Sequence, residues 1–196
     1  MNENTYDMEV FSNKELTSVV RNVNKQEIRK YKEKDEIVEI INRIPAGKQK
    51  MVIIFLWYTG LRATEVLYLK KGDIDFENKT IRIQWLKSRK VKERIVPIKP
   101  QLCTMLQFYS TGMTNKDRLF PHSRQWLFKI VQKWFKDSPH MLRHSFAVNF
   151  LRQSKSPTAL VVLQRLLGHG RVQTTMEYLK IVPMDMAIEL EKVSFE

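Results

Sequence analysis

A single cysteine, Cys103, occurs in 196 residues, so the chain can form no internal disulfide and no cysteine-based zinc cluster. Disulfide-stapled secreted scaffolds are thereby excluded. Long apolar runs are missing as well: the longest, Met51 to Tyr58, has eight residues, where a membrane-crossing helix needs roughly 20. Residues 1–20 lack a signal-peptide pattern, and the expectation is a soluble, cytoplasmic chain with no membrane partner. There is no internal repeat and no Gly/Ser-rich linker. Three familiar catalytic signatures are absent too: a Gly-rich phosphate loop ending in Lys-Ser/Thr, HExxH and GxSxG. Nucleotide hydrolysis and zinc-dependent hydrolysis lose most of their support. Acidic residues are in short supply, 21 against 34 Lys plus Arg, for a net charge of +13.

What is present describes a folded domain. Hydrophobic residues make up 43% and charged residues 28%, close to the globular average, and the length suits one domain with a short appendage. Charge is unevenly spread. Residues 46–136 hold 19 basic and 6 acidic residues, whereas residues 1–45 hold 8 and 9 and residues 137–196 hold 7 and 6. The excess of 13 therefore sits in the middle, and a positive segment of this kind fits a partner made of phosphate, nucleic acid foremost.

Hydrophobic spacing predicts helices at both ends of the chain and a hairpin between them. Ile37, Ile40, Ile41 and Ile44 form an amphipathic stripe that begins near Asp35 as N-cap and stops at Pro45; Lys14 to Val23 reads as an earlier helix. Met51 to Tyr58 is apolar all round and suits a buried helix. Arg62 to Lys71 suits another, with Gly72 as its C-terminal cap and a turn at Asp73 to Asp75. From Thr80 the period becomes two: Ile81, Ile83 and Trp85 alternate with Arg82 and Gln84, then a basic tip at Ser88 to Val91 leads into Glu93 to Ile98. Further helices are expected over 101–110, 123–135, 139–153, 159–167, 172–178 and 184–193, separated by Gly, Pro and Ser breaks.

Three short motifs hold the candidate chemistry. In SPHMLRHSFA, Ser138 can cap a helix with Pro139 at its first position, so His140 and Arg143 share a face at a helix end that welcomes an anion. In TGLRATEV, Gly60 permits a tight turn, Arg62 opens a helix, and Glu65 can orient the guanidinium. In LLGHGRVQTTMEYLK, His169 lies between two glycines and Tyr178 follows nine residues later. Taken singly, each has an ordinary explanation: an exposed basic helix start, a surface Arg–Glu pair, a loop histidine and a core tyrosine. His122 stands apart from all three.

Taken together and in chain order, TGLR, then HMLRH, then LGH with its tyrosine, the three motifs resemble the catalytic domain of the tyrosine recombinases, the phage-integrase family. The likeness runs from about Asp35 to Val182, and the cationic hairpin falls between the first two motifs, where the family places its lysine. It implies a mainly α fold with a small antiparallel β-sheet or hairpin. The expected division is a charged helical segment over 1–34, the catalytic domain over 35–182 and a tail helix over 183–196.

The resemblance also implies a reaction: a tyrosine hydroxyl attacks a DNA phosphodiester, forms a 3′-phosphotyrosine and releases a 5′-hydroxyl that another strand later replaces. No metal, ATP or other cofactor is required, because one phosphodiester is exchanged for another. Tyr178 would be the nucleophile, Arg62 and Arg143 the clamp on the nonbridging oxygens, and His169 a further hydrogen bond to the same phosphate. His140 would be the base or proton relay for Tyr178, and Lys87 the acid for the leaving oxygen, chosen over Lys90 and Lys92 because alternation puts it with Ile81, Ile83 and Trp85 while Lys90 belongs to the tip. Glu65 and His144 would support these groups. Arg89, Lys90, Lys92, Arg94 and Arg171 would contact double-stranded DNA.

Self-association into a tetrameric synapse is expected through the tail, where Met184, Ala187, Ile188 and Leu190 form an apolar stripe. Most family members carry an extra N-terminal DNA-clamping domain, so this chain is expected to be a minimal form, and SKSPT at 154–158 suggests a small loop insertion. A viral or plasmid origin fits the resemblance. The alternatives are a DNA-relaxing topoisomerase of the same chemistry and an inactive DNA-binding regulator. The short LGH-to-Tyr spacing and the HxLRH form fit a recombinase better, and the complete set of side chains argues against a regulator.

The basic segment makes a direct prediction. If it neutralises about 6–10 phosphates, the log–log dependence of duplex affinity on salt has a slope of about −5 to −9. A slope near zero overturns the idea.

Overall fold

The helix that is apolar all round lies at the centre of the fold. The computed structural model describes residues 31–87, 90–154 and 156–182. In it, α1 (Lys34–Arg43) leads into α2 (Lys48–Thr59), whose Met51, Val52, Ile53, Phe55, Leu56 and Trp57 are all buried. A short α3 (Ala63–Tyr68) and a 3-10 turn (Lys71–Asp73) follow. Next come three strands, β1 (Ile74–Asp75), β2 (Thr80–Lys87) and β3 (Lys90–Pro97). The chain continues through α4 (Pro100–Tyr109), α5 (Arg124–Phe135), α6 (Pro139–Gln153), α7 (Ala159–Leu167) and α8 (Gln173–Met176). The sheet is antiparallel in the order β1-β2-β3. No helix among the described residues is long and apolar enough to cross a membrane. The helices expected at 14–23 and 184–193 lie outside the described residues.

Several local expectations give way to longer-range pairing. Helix α1 starts at Lys34, because the Glu33 carbonyl accepts the Ile37 N–H; Asp35 sits inside the first turn, where its charge complements the helix dipole. Helix α3 ends at Leu69 rather than at Gly72. The Leu69 carbonyl accepts the Leu119 N–H, and the Lys71 and Gly72 N–H groups bond to Asp117 and Asn115, so the backbone that would extend the helix pairs with residues 115–119 instead. Gly72 is needed there for proximity: a Cβ would stand 2.8 Å from the Asn115 oxygen. The expected turn at 73–75 contains β1, which adds a third strand through the pairs Ile74–Ile81 and Asp75–Thr80. Ser138 takes the N-cap position of α6, but its side chain makes no capping bond.

The hairpin register alters the reading of its lysines. Lys90 opens β3 and pairs directly with Lys87, so the two occupy one rung of the ladder and strand alternation does not distinguish them. Lower rungs pair Ile81 with Val96, both buried, and Ile83 with Arg94.

Two apolar clusters make up the interior. The larger collects Ile37 and Ile41 from α1, the α2 residues, Ile81, Ile83 and Val96 from the sheet, and Leu102, Leu106, Leu127 and Val131 from α4 and α5. The smaller holds Ala147, Val148 and Leu151 of α6, Ala159, Leu163 and Leu167 of α7, and Tyr178. Helix α6 passes from one to the other, and Phe146 packs against both. At this seam Gly60 caps α2 in the left-handed conformation, φ 61°, and a Cβ there would lie 2.3 Å from the Phe146 ring.

Gly60→Ala therefore combines a left-handed alanine with a forced clash and is expected to destabilise the domain by about 2–4 kcal/mol. Chemical denaturation checks this; an unchanged midpoint would mean that the α2 terminus and Phe146 move apart freely.

Candidate active site

Arg143 is the centre of the site. Its guanidinium is 5% exposed and gives one nitrogen to the Gly60 carbonyl at 2.7 Å and another to the Leu167 carbonyl at 2.8 Å. These oxygens lie at the C-terminal ends of α2 and α7, where helix carbonyls lack intrahelical partners and the helix dipole is negative. A cation fits there, and one Arg draws the TGLR turn and the LGH turn onto α6. Burial first, and Arg62 second, bring the Arg143 pKa down to about 10, while Glu65 and Tyr178 oppose the shift. The group remains protonated at neutral pH.

Arg62 stands at the N-cap of α3 with its side chain 39% exposed. Its backbone N–H bonds to Glu65 Oε2 at 2.9 Å, one guanidinium nitrogen reaches Glu65 Oε1 at 3.1 Å, and the other reaches the Gly168 carbonyl at 3.4 Å. Glu65 is itself gripped by Arg94, Nη1 to Oε1 at 2.9 Å and Nη2 to Oε2 at 3.0 Å. Burial opposes ionisation of Glu65, yet the hydrogen bonds and charge of Arg94, followed by those of Arg62, prevail and hold its pKa below the usual 4.5.

One expected DNA contact is engaged inside the protein. The Arg94 side chain, grouped by the sequence reading with the residues facing DNA, is 11% exposed and committed to Glu65. Sequence alternation offered no warning, because β3 alternates charged residues on both faces.

The histidine beside the tyrosine is not the one the sequence reading placed there. Tyr178 is fully buried in the smaller cluster, and its hydroxyl meets His144, Nδ1 to Oη 2.8 Å, whereas the expectation put His140 in that position. The His140 and His144 rings stand 6.4 Å apart. The reason is helical geometry: His144 lies one residue beyond Arg143, on the flank of α6 that meets Tyr178, while His140 sits a turn earlier on an exposed position.

His169 and Tyr178 lie nearly parallel, 6.5 Å between ring centres. Two residues that no motif singled out secure His169: Thr175 Oγ1 meets its Nδ1 at 2.8 Å, and Gln164 Nε2 donates to its carbonyl at 3.2 Å. Buried Thr175, three residues before the tyrosine, was the available signal.

Lys87 ends β2 and Lys90 opens β3. Lys92 and Arg171 are exposed, while Arg89 lies outside the described residues. His122 stacks on Trp126 at 3.7 Å, away from the cluster.

A mainly helical domain whose three motif turns bring two arginines, three histidines and a tyrosine around one small sheet defines a class of protein. The family model described as phage integrase family matches residues 30–183, and the chain belongs to that family. The tyrosine recombinase XerA of Saccharolobus solfataricus is 33% identical over 162 residues, covering 80% of this chain and 54% of the relative. The chain thus spans about half the length of that relative. A crystal structure of XerA recombinase matches with a TM-score of 0.66 at 26% identity, over 84% of this chain and 64% of the other. The Tn1549 transposon integrase, solved in complex with a circular intermediate DNA, shares the fold with a TM-score of 0.65 at 18% identity, over 86% of this chain and 67% of the other.

The clustered positive charge predicts a titration. Loss of water around the ring, then the charges of Arg143, Arg62 and Arg124, push the His140 pKa below the ordinary 6.5. The neutral, proton-accepting ring therefore persists to lower pH than in a free histidine. Arg62→Gln should move the His140 pKa upward, as followed by NMR of its ring protons, and an unchanged or lower value would show that the arginine field does not reach it.

Proposed function

We propose that the chain cleaves and rejoins DNA strands as a site-specific tyrosine recombinase. The observation that carries this reading is the convergence of Arg62, Arg143, His169 and the His144–Tyr178 pair, with three guanidiniums and one carboxylate leaving a net positive charge that suits a phosphate. DNA as substrate is supported by the basic segment and by the DNA complex of the Tn1549 integrase.

In this reading the phosphodiester seats its nonbridging oxygens on Arg62 and Arg143, the two forks that stabilise developing negative charge, with His169 adding a bond. Tyr178 Oη attacks phosphorus, its proton passing to His144 and outward by way of His140. The bond from phosphorus to the 5′-oxygen breaks, and Lys87 protonates the leaving oxygen. Atoms and charge balance without an external energy source. Because the Tyr178 side chain has no exposed surface, the segment from Val172 to Val182 must shift for the hydroxyl to meet phosphorus. Lys92 and Arg171, both exposed, serve as backbone contacts, and Arg89 and Lys90 share that role. Self-association on DNA through residues 183–196 and a cytoplasmic, DNA-associated location belong to the same reading.

A nicked duplex that lets the 5′-fragment diffuse away tests it. The protein should form a denaturation-resistant adduct that Tyr178→Phe abolishes; an adduct that survives the substitution, or none from the unmodified protein, overturns the assignment. In the same assay Lys87→Ala should slow cleavage by about 10²–10⁴-fold and recover on a 5′-bridging phosphorothiolate, whose sulfur leaves without a proton. Recovery of Lys90→Ala instead moves the acid across the rung.

A further inference from the structure

We propose that Arg94 is a positioning residue for Arg62, acting through Glu65 and Gly168 and not through DNA; the inference rests on the strand-cleavage reading above. Each oxygen of the Glu65 carboxylate accepts two bonds. Oε1 takes Arg94 Nη1 and Arg62 Nη1, and Oε2 takes Arg94 Nη2 and the Arg62 backbone N–H. The four donors fill the lone pairs of a carboxylate whose side chain is 6% exposed, so Glu65 cannot rotate without breaking both partnerships. Arg62 is thereby held at its backbone and at one guanidinium nitrogen, while much of its fork stays open for an anion.

The other side of Arg94 sets the position of the LGH turn. Gly168 takes the left-handed conformation, φ 66°, and a Cβ there would lie 2.7 Å from both Cζ and Nη1 of Arg94, so the guanidinium is pressed against the glycine backbone. Across the fork, the Trp85 ring centre is 5.2 Å away. The Gly168 carbonyl is also the oxygen that Arg62 reaches. One buried side chain from the base of the hairpin therefore locates Arg62 from two directions and joins β3 to the residue before His169. Its Nε finds no partner among the described residues, in keeping with an orientation dictated by the two Nη contacts.

Two planar forks on one carboxylate demand arginine at position 94, since a lysine ammonium supplies one point contact in place of a bidentate grip. The role is positional, so its signature is dependence on Arg62. A double-mutant cycle on the nicked duplex reads it. Arg94→Met should slow adduct formation by about 10–100-fold when Arg62 is present and by less than about twofold in the Arg62→Ala background, because displacement of a group that is absent costs nothing further. Arg94→Lys should show an intermediate loss, and it completes the cycle in place of Arg94→Met if thermal melting shows that the methionine variant does not fold. Duplex affinity and its salt slope should stay unchanged in the Arg94 variants, whereas a phosphate-contacting residue would lower the slope by about one.

Equal losses in both Arg62 backgrounds, or a reduced salt slope, overturn the proposal. Failure of the unmodified protein to form the adduct overturns the cleavage reading instead, so the two failures are distinct.

Discussion

Everything in this domain depends on the buried Arg143 guanidinium shared between the Gly60 and Leu167 carbonyls. The two oxygens end helices that belong to different apolar clusters, so the arginine closes the seam between them at the point where α6 crosses. Burying a charge is expensive unless its donors are used, and here helix ends with unpartnered carbonyls and negative dipoles supply the compensation. Removing the guanidinium would leave two buried acceptors without it, at a cost of about 1–3 kcal/mol each. The seam therefore rests on one side chain, and the pKa brought down to about 10 records that the cation is held where water is scarce and another cation is near.

Such a cluster of like charges is tolerable because Glu65 stands inside it. With Arg62, Arg94 and Arg143 near a single carboxylate, two positive charges remain uncompensated, which favours an anion at Arg62, the most exposed of the three. Loss of water around the ring, and after it the charges of Arg143 and Arg62, keep His140 neutral to lower pH, so the charges that would bind phosphate also help to preserve a proton acceptor. Tyr178 is withheld from water for a different reason. Tyr178 is large and mostly apolar, and packing it with Leu163 and Leu167 removes its surface from water while His144 satisfies the hydroxyl.

Much of the fold could be read from local pattern. The all-apolar run at 51–58, the period-two alternation from Thr80 and Pro139 at a helix start are decisions of neighbouring residues, and α2, the hairpin and α6 follow them. Elements whose boundaries are set by distant partners were not readable in this way. The early end of α3 depends on hydrogen bonds to residues 115–119, and β1 exists because β2 offers it an edge.

The candidate site divides along the same line. Sequence by itself determined the membership: arginines in TGLR and HxLRH, histidines beside them, and a tyrosine nine residues past LGH, since residue type and spacing are properties of the chain. Tertiary structure alone decided the pairings. Arg94 looked like one more basic residue on a cationic hairpin until the fold brought it onto Glu65, and His144 became a partner of Tyr178 because α6 presents that side chain to the tyrosine hydroxyl. The physical reason is that a hydrogen bond joins atoms brought together across 29 and 34 residues of chain, and no local propensity encodes a distance that only packing creates.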